Sequence, residues 1–112
     1  MDAWELAELV ARRTDAGQPY FEFMRTPSLS AGLYVLGPGA TDRQKPHAED
    51  EVYYVVSGIG RVSVGDDTRD VSAGSVVFVA ATVPHRFHDI AEQLEIVVFF
   101  APPEGSAAVA SG

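Results

Sequence analysis

Gly39-Ala40-Thr41-Asp42-Arg43-Gln44-Lys45-Pro46-His47-Ala48-Glu49-Asp50-Glu51-Val52-Tyr53-Tyr54-Val55-Val56-Ser57-Gly58 is the stretch whose reading decides the fold. Its second half is a β-branched and aromatic run bounded by glycine, the composition of a strand. Its first half places an imidazole and a carboxylate at the mouth of that strand. Side chains alternate faces along extended backbone, so His47, Glu49 and Glu51 are expected on one side. Imidazole and carboxylate together are ligands for Fe, Mn, Ni, Zn or Cu. A second histidine, His85, follows Val83-Pro84 at the end of another apolar run. Two distant β-segments that each deliver a ligand imply a pocket inside a barrel.

The periodicity outside this stretch agrees. Strands are expected at Tyr20–Met24, Ser30–Leu36, Glu51–Ser57, Arg61–Val64, Thr68–Val71, Ser75–Val79, Arg86–His88 and Gln93–Phe100. Gly65-Asp66-Asp67 reads as a tight hairpin and Gly58-Ile59-Gly60 as a sharp bend or bulge. Some eight short strands with turn signals between them indicate an all-β antiparallel barrel or sandwich. Residues 2–15 read as one short N-terminal helix, with Asp2 as N-cap, Glu5 three residues on, and Gly17 with Pro19 as the stop. That helix is expected to pack on the outside of the barrel. One domain over residues 1–101 is expected, and 102–112 reads as a flexible, low-complexity tail.

The spacing of the two ligand segments resembles the cupin superfamily, in its small single-domain form. The first cupin motif runs Gly, five residues, His-x-His, three or four residues, Glu, six residues, Gly. This chain has Gly39, five residues, Lys45-x-His47, three residues, Glu51, six residues, Gly58. The second runs Gly, five residues, Pro-x-Gly, two residues, His, three residues, Asn. Here it reads Gly74, five residues, Ala80-x-Thr82, two residues, His85, three residues, Asp89. Fifteen residues separate Gly58 from Gly74. The resemblance implies a jelly-roll β-barrel, a divalent transition metal held by His47, Glu51 and His85, and a homodimer. Lys45 stands where the family has its first metal histidine. It is expected to bend away, to pair with Glu49 or Glu51, or to hold an anionic ligand, set against an ordinary solvated lysine at the pocket rim. A one-residue slip at Pro46 would instead turn Gln44 inward as an amide ligand.

Around this triad, Glu49 is a candidate general base or outer partner of the ligands, set against a solvated loop acid. Tyr34, Tyr53, Phe78, Phe87, Ile96 and Val98 are candidates for the pocket wall. His88 should face away from His85 and lie at the surface or an interface. Val52, Tyr54, Val56, Val97 and Phe99 form a second apolar face, expected to be covered by the helix or by a second subunit.

Composition sets the outer bounds. The chain has 112 residues, no cysteine, and a net charge of −8. One modest core fits this length. The acidity argues against nucleic-acid backbones and anionic membranes, so neither is an expected partner. The absence of cysteine removes disulfides and thiolate chemistry. The opening Met1-Asp2-Ala3-Trp4-Glu5 lacks a basic and apolar leader, and a cytoplasmic location is expected. The leading function is a metal-dependent small-molecule enzyme, dioxygenase-like. The alternatives are a non-catalytic small-ligand-binding barrel and a metal-free isomerase or lyase.

Overall fold

The computed structural model describes residues 1–42 and 46–106. One helix, α1 (Leu6–Ala16), precedes six strands: β1 (Tyr20–Arg25), β2 (Ser30–Leu36), β3 (Asp50–Val64), β4 (Asp67–Ser72), β5 (Val76–Val79) and β6 (His85–Ala101). All pairings are antiparallel. The order is β1-β2-β6-β3-β4, with β5 beside β3. The all-β barrel expectation holds, and the expected count of eight strands becomes six among the described residues.

The reason lies in two long strands. β3 runs 15 residues and β6 runs 17. Residues expected to interrupt them bend them instead. The β3–β6 register slips between Val55 and Ser57, between Ser57 and Ile59, and between Ile59 and Arg61. Gly58 sits at this bend with φ 102°, and a Cβ there would stand 2.1 Å from the Gln93 carbonyl oxygen. Only glycine gives both the left-handed backbone and the close approach. The front halves, Glu51–Tyr54 of β3 and Val97–Phe100 of β6, pair with each other, with β5 on the other side of β3. The back halves pair near Arg61–Val64 and His85–His88, with β4 on the other side of β3. Two bent strands therefore serve both halves of the sheet, which wraps around one core.

That core holds Tyr34, Leu36, Tyr53, Val55, Val62, Val71, Phe87, Leu94, Ile96, Val98 and Phe100, among others. Period-two alternation puts Tyr53 and Val55 inside and Tyr54 outside. Phe78, expected in the pocket wall, is 60 % exposed. It pairs with Val52 on the outer face, and Val77 and Val79 take the inward positions.

The helix begins at Leu6 rather than residue 2. Glu5 is the N-cap residue, without a side-chain cap, so Asp2 has no capping role. Gly17 ends the helix in the left-handed conformation, as its sequence position suggested. α1 lies outside the barrel on β1 and β2. Trp4 meets Phe23 edge-on at 5.2 Å, and the Arg12 guanidinium sits 5.1 Å from the Phe21 ring. Among the described residues no helix is long and apolar enough to cross a membrane. Pro103–Ser106 folds back as a turn, with Glu104 N–H donating to Ser30 Oγ at 3.0 Å. Residues 107–112, and with them most of the expected tail, lie outside the described residues.

Candidate metal centre

Glu51 lies between Phe100 and Val79 in the front half of the barrel, and His85 lies beside Val64 in the back half. Both side chains point inward and meet across the interior, with His85 Nε2 3.0 Å from Glu51 Oε2. His47 reaches in from the segment before β3, and its Nε2 is 3.8 Å from Glu51 Oε1. One ligand atom from each of the three lies within 4.8 Å of the other two. The structure thus brings together the three residues named from the motif spacing.

Second contacts hold each of them. Tyr53 Oη donates to Glu51 Oε1 at 3.0 Å. His85 Nδ1 is 2.9 Å from the Val83 carbonyl, the placement that keeps a proton on Nδ1 and leaves the Nε2 lone pair facing inward. The Phe100 ring stands edge-on to His47 at 5.0 Å. Thr82 N–H donates to the His47 carbonyl at 2.7 Å and Ala81 N–H to Asp50 Oδ1 at 2.8 Å, which ties the β5–β6 loop to the His47 segment. Thr82 holds φ 69° at the motif's usual glycine position, and Asp89 holds φ 49° at its asparagine position. Asparagine and aspartate tolerate that region; a β-branched threonine is strained there.

His47 Nε2, Glu51 Oε2 and His85 Nε2 are all buried without a hydrogen-bond partner among the described residues. The 3.0 Å approach of His85 to Glu51 does not align as a hydrogen bond. Three convergent buried lone-pair atoms left unmatched are costly unless something positive joins them. Two imidazoles and one carboxylate are the donor chemistry of a divalent transition metal, so these residues fit such an ion. Burial by itself would lower the His85 pKa; the Glu51 carboxylate and the Val83 carbonyl outweigh it, and the net shift is upward.

Other expected site residues fall in varied places. Tyr34 donates to Asp42 Oδ1 at 2.7 Å, and Asp42 Oδ2 accepts the Phe87 amide at 2.8 Å. Burial, then this bond and the Asp42 charge, push the Tyr34 phenol well up. Phe87 is a core residue packed edge-on against Tyr53 at 5.0 Å rather than a ligand contact. Glu49 is not a solvated acid: it is 1 % exposed, its Oε1 accepts the Gly105 amide at 3.0 Å, and it stands outside the donor cluster. The segment before Asp50 is not strand, so simple alternation fails for it. His88 faces away from His85, as expected, and is bound by Ser63 Oγ at 2.7 Å and Asp89 Oδ2 at 2.8 Å. Gln44 and Lys45 lie outside the described residues.

A cavity of about 100 Å³ adjoins the triad, bounded by Tyr20, Tyr34, His47, Val98, Phe100 and Glu104. Tyr34 and Val98 therefore take their expected places in the wall. Tyr20, Asp42 and Glu104 were not anticipated. Tyr20 and Glu104 come from segments at opposite ends of the chain, and only the folded barrel brings them together. Asp42 sits within the quoted stretch, and its burial was the missing signal.

A jelly-roll barrel with two histidines and one glutamate converging inside is the structure of a cupin. The chain is matched over residues 32–100 by the model of the cupin domain family, and it belongs to that family. It is 51% identical to Uncharacterized protein SCO3923 of Streptomyces coelicolor over 104 residues, which is 93% of this chain and 99% of that one. The solved structure of TT1209 from Thermus thermophilus is similar at TM-score 0.72 and 26% identity, covering 92% of this chain and 99% of that one. KdgF from Halomonas sp. shares the fold at TM-score 0.68 and 23% identity, over 74% and 76% of the two chains.

Proposed function

We propose that this chain is a metal-dependent enzyme acting on a small organic molecule, with His47, Glu51 and His85 as the ligands. The observation that carries the reading is the trio of buried, unmatched ligand atoms within 4.8 Å of one another. The donor set suits Fe, Mn, Ni, Zn or Cu. When bound, such an ion supplies Lewis acidity and, if redox-active, oxygen activation, the basis of a dioxygenase-type reading. The chain's own part is to orient and to exclude water. Tyr53 steadies Glu51, the Val83 carbonyl fixes the His85 tautomer, and Phe100 shields His47.

One distance favours a second reading. His85 Nε2 lies 3.0 Å from Glu51 Oε2; when His85 is protonated, a small rotation into hydrogen-bond alignment would let the pair pass a proton without any metal, as an isomerase or lyase requires. The two readings separate on metal content. Protein purified without a histidine tag is expected to carry close to one equivalent of transition metal per chain by mass spectrometry. His85→Ala should lose it. Stoichiometric metal retained in that variant removes His85 from the site, and wild type that takes up no metal from any of the five ions leaves the proton-transfer reading or a non-catalytic ligand-binding barrel.

A further inference from the structure

Tyr20 has no use in the metal centre, yet it is built in with care. Its ring lies across Gly32 of β2, where a Cβ would come within 2.3 Å of it. Tyr34 and Phe100 meet the ring edge-on at 6.3 and 6.2 Å. The hydroxyl so placed is buried and has no partner among the described residues. It belongs to the wall of the cavity that His47 also lines. Burial first, and then the charges of Glu104, Glu22 and Glu51, push the phenol up, so the hydroxyl keeps its proton and stays a donor.

Glu104 stands in the same wall and is delivered there by its backbone. Its N–H donates to Ser30 Oγ at 3.0 Å, its carbonyl accepts the Arg25 guanidinium at 3.0 Å, and the next amide, Gly105 N–H, donates to Glu49 Oε1 at 3.0 Å. The cavity's surface is almost wholly apolar, with the buried Tyr20 hydroxyl packed at its edge and Glu104 in its wall.

We propose that Tyr20 and Glu104 are the ligand-reading groups of this cavity, and that they select a small uncharged molecule bearing a hydroxyl. The inference rests on reading the cavity as the ligand site of the proposed enzyme. A hydroxyl can accept from Tyr20 and donate to Glu104 at once. A molecule carrying a carboxylate meets the negative charge of Glu22, Glu49, Glu51 and Glu104, against which the Arg25 guanidinium, paired with Glu22, is a single positive charge; an ammonium has no lone pair for Tyr20. An apolar cavity of about 150 Å³ holds benzene, so this one suits about four to six non-hydrogen atoms. His47 lines both cavity and triad, so a ligand here abuts the metal centre.

The test titrates hydroxyacetone and glycolate, matched in size and differing in charge, into metal-stripped full-length protein followed by amide NMR. Hydroxyacetone is expected to bind at least about tenfold tighter than glycolate and to shift amides near Tyr20, His47 and Glu104. Tyr20→Phe should weaken hydroxyacetone about fivefold or more, the loss of one buried hydrogen bond. Glu104→Gln should strengthen glycolate by about threefold or more by removing a like charge, and it stands as an independent readout should Tyr20→Phe not fold. Glycolate binding as tightly as hydroxyacetone to wild type overturns the proposal. So does a folded Tyr20→Phe that binds hydroxyacetone within about twofold of wild type. The stripped protein needs no metal, so the two readings fail separately. A chain that loads no metal but prefers hydroxyacetone retires only the metal reading; one that loads metal and prefers glycolate retires only this one.

Discussion

His85 is held between opposing influences, and its pH behaviour follows from them. The raised pKa means the folded state binds the proton more tightly than the unfolded chain does. In metal-free protein that contribution is fully present below about pH 6.5, the ordinary imidazole value, and is lost as pH rises through the folded pKa. A metal ion must displace the same proton, so its affinity runs the other way and falls as pH drops below the folded pKa, by about tenfold per unit. Opposite pH slopes are therefore expected above about pH 6.5, up to the folded pKa: falling unfolding midpoints for stripped protein, rising metal affinity by chelator competition. His85→Gln should flatten both. Equal slopes in that variant and wild type would mean that another group sets them. At this scale the triad was legible because motif spacing survives in a linear string. Tyr20, Glu104 and the burial of Glu49 were not legible, since each depends on a contact between segments as far apart as Glu49 and Gly105 or Ser30 and Glu104.

Glycines in a β-pattern read as breaks, and here two of them serve different purposes. Gly58 bends β3 without stopping it, where a Cβ would run into the Gln93 backbone of β6. Gly39 has φ 73° and open space around its missing Cβ. Gly39→Ala should therefore cost only the left-handed strain, about 1–2 kcal/mol. Gly58→Ala adds a clash with the Gln93 carbonyl that only a backbone shift can relieve, and a loss of about 3 kcal/mol or more is expected, enough to endanger a marginally stable domain. Denaturant unfolding of the two variants tests the ranking. If Gly58→Ala proves no worse than Gly39→Ala, the bend is not the close crossing described. The strand count was misread for the same reason. Local propensity marks Gly58, Gly60 and the Asp89–Glu92 region as turns, whereas ladder pairing on both sides carries the strands through them. The helix start was misread because Asp2 offers a capping residue without the tertiary contacts that decide where α1 begins; its one buried residue is Leu9.

On the whole molecule, the apolar outer face remains. Register places Phe78, Val52 and Phe99 side by side across β5, β3 and β6, and Val76, Tyr54 and Val97 in the parallel row. Phe78 is 60 % exposed, Tyr54 44 % and Phe99 39 %. The alternation that made this face visible in the sequence could not say what covers it. The helix does not, since α1 packs on β1 and β2 and these side chains stay in the open. A contiguous apolar patch of six residues on three neighbouring strands is unusual for a monomer. We propose that a second copy of this chain covers it, face to face, about a two-fold axis. The patch presents the same rows to itself under such an axis, and its six side chains contribute nothing to the net charge of −8 that would otherwise repel a like partner. Light scattering after size exclusion should give twice the chain mass at micromolar concentration. Phe78→Glu combined with Phe99→Glu should give the monomer, because four carboxylates would then be buried against one another in each dimer. Metal content in that double variant should stay near wild type, as the triad lies inside the barrel and on the far side of these strands' backbone. A wild-type monomer at those concentrations, or a double variant that still elutes as a dimer, would place the contact elsewhere.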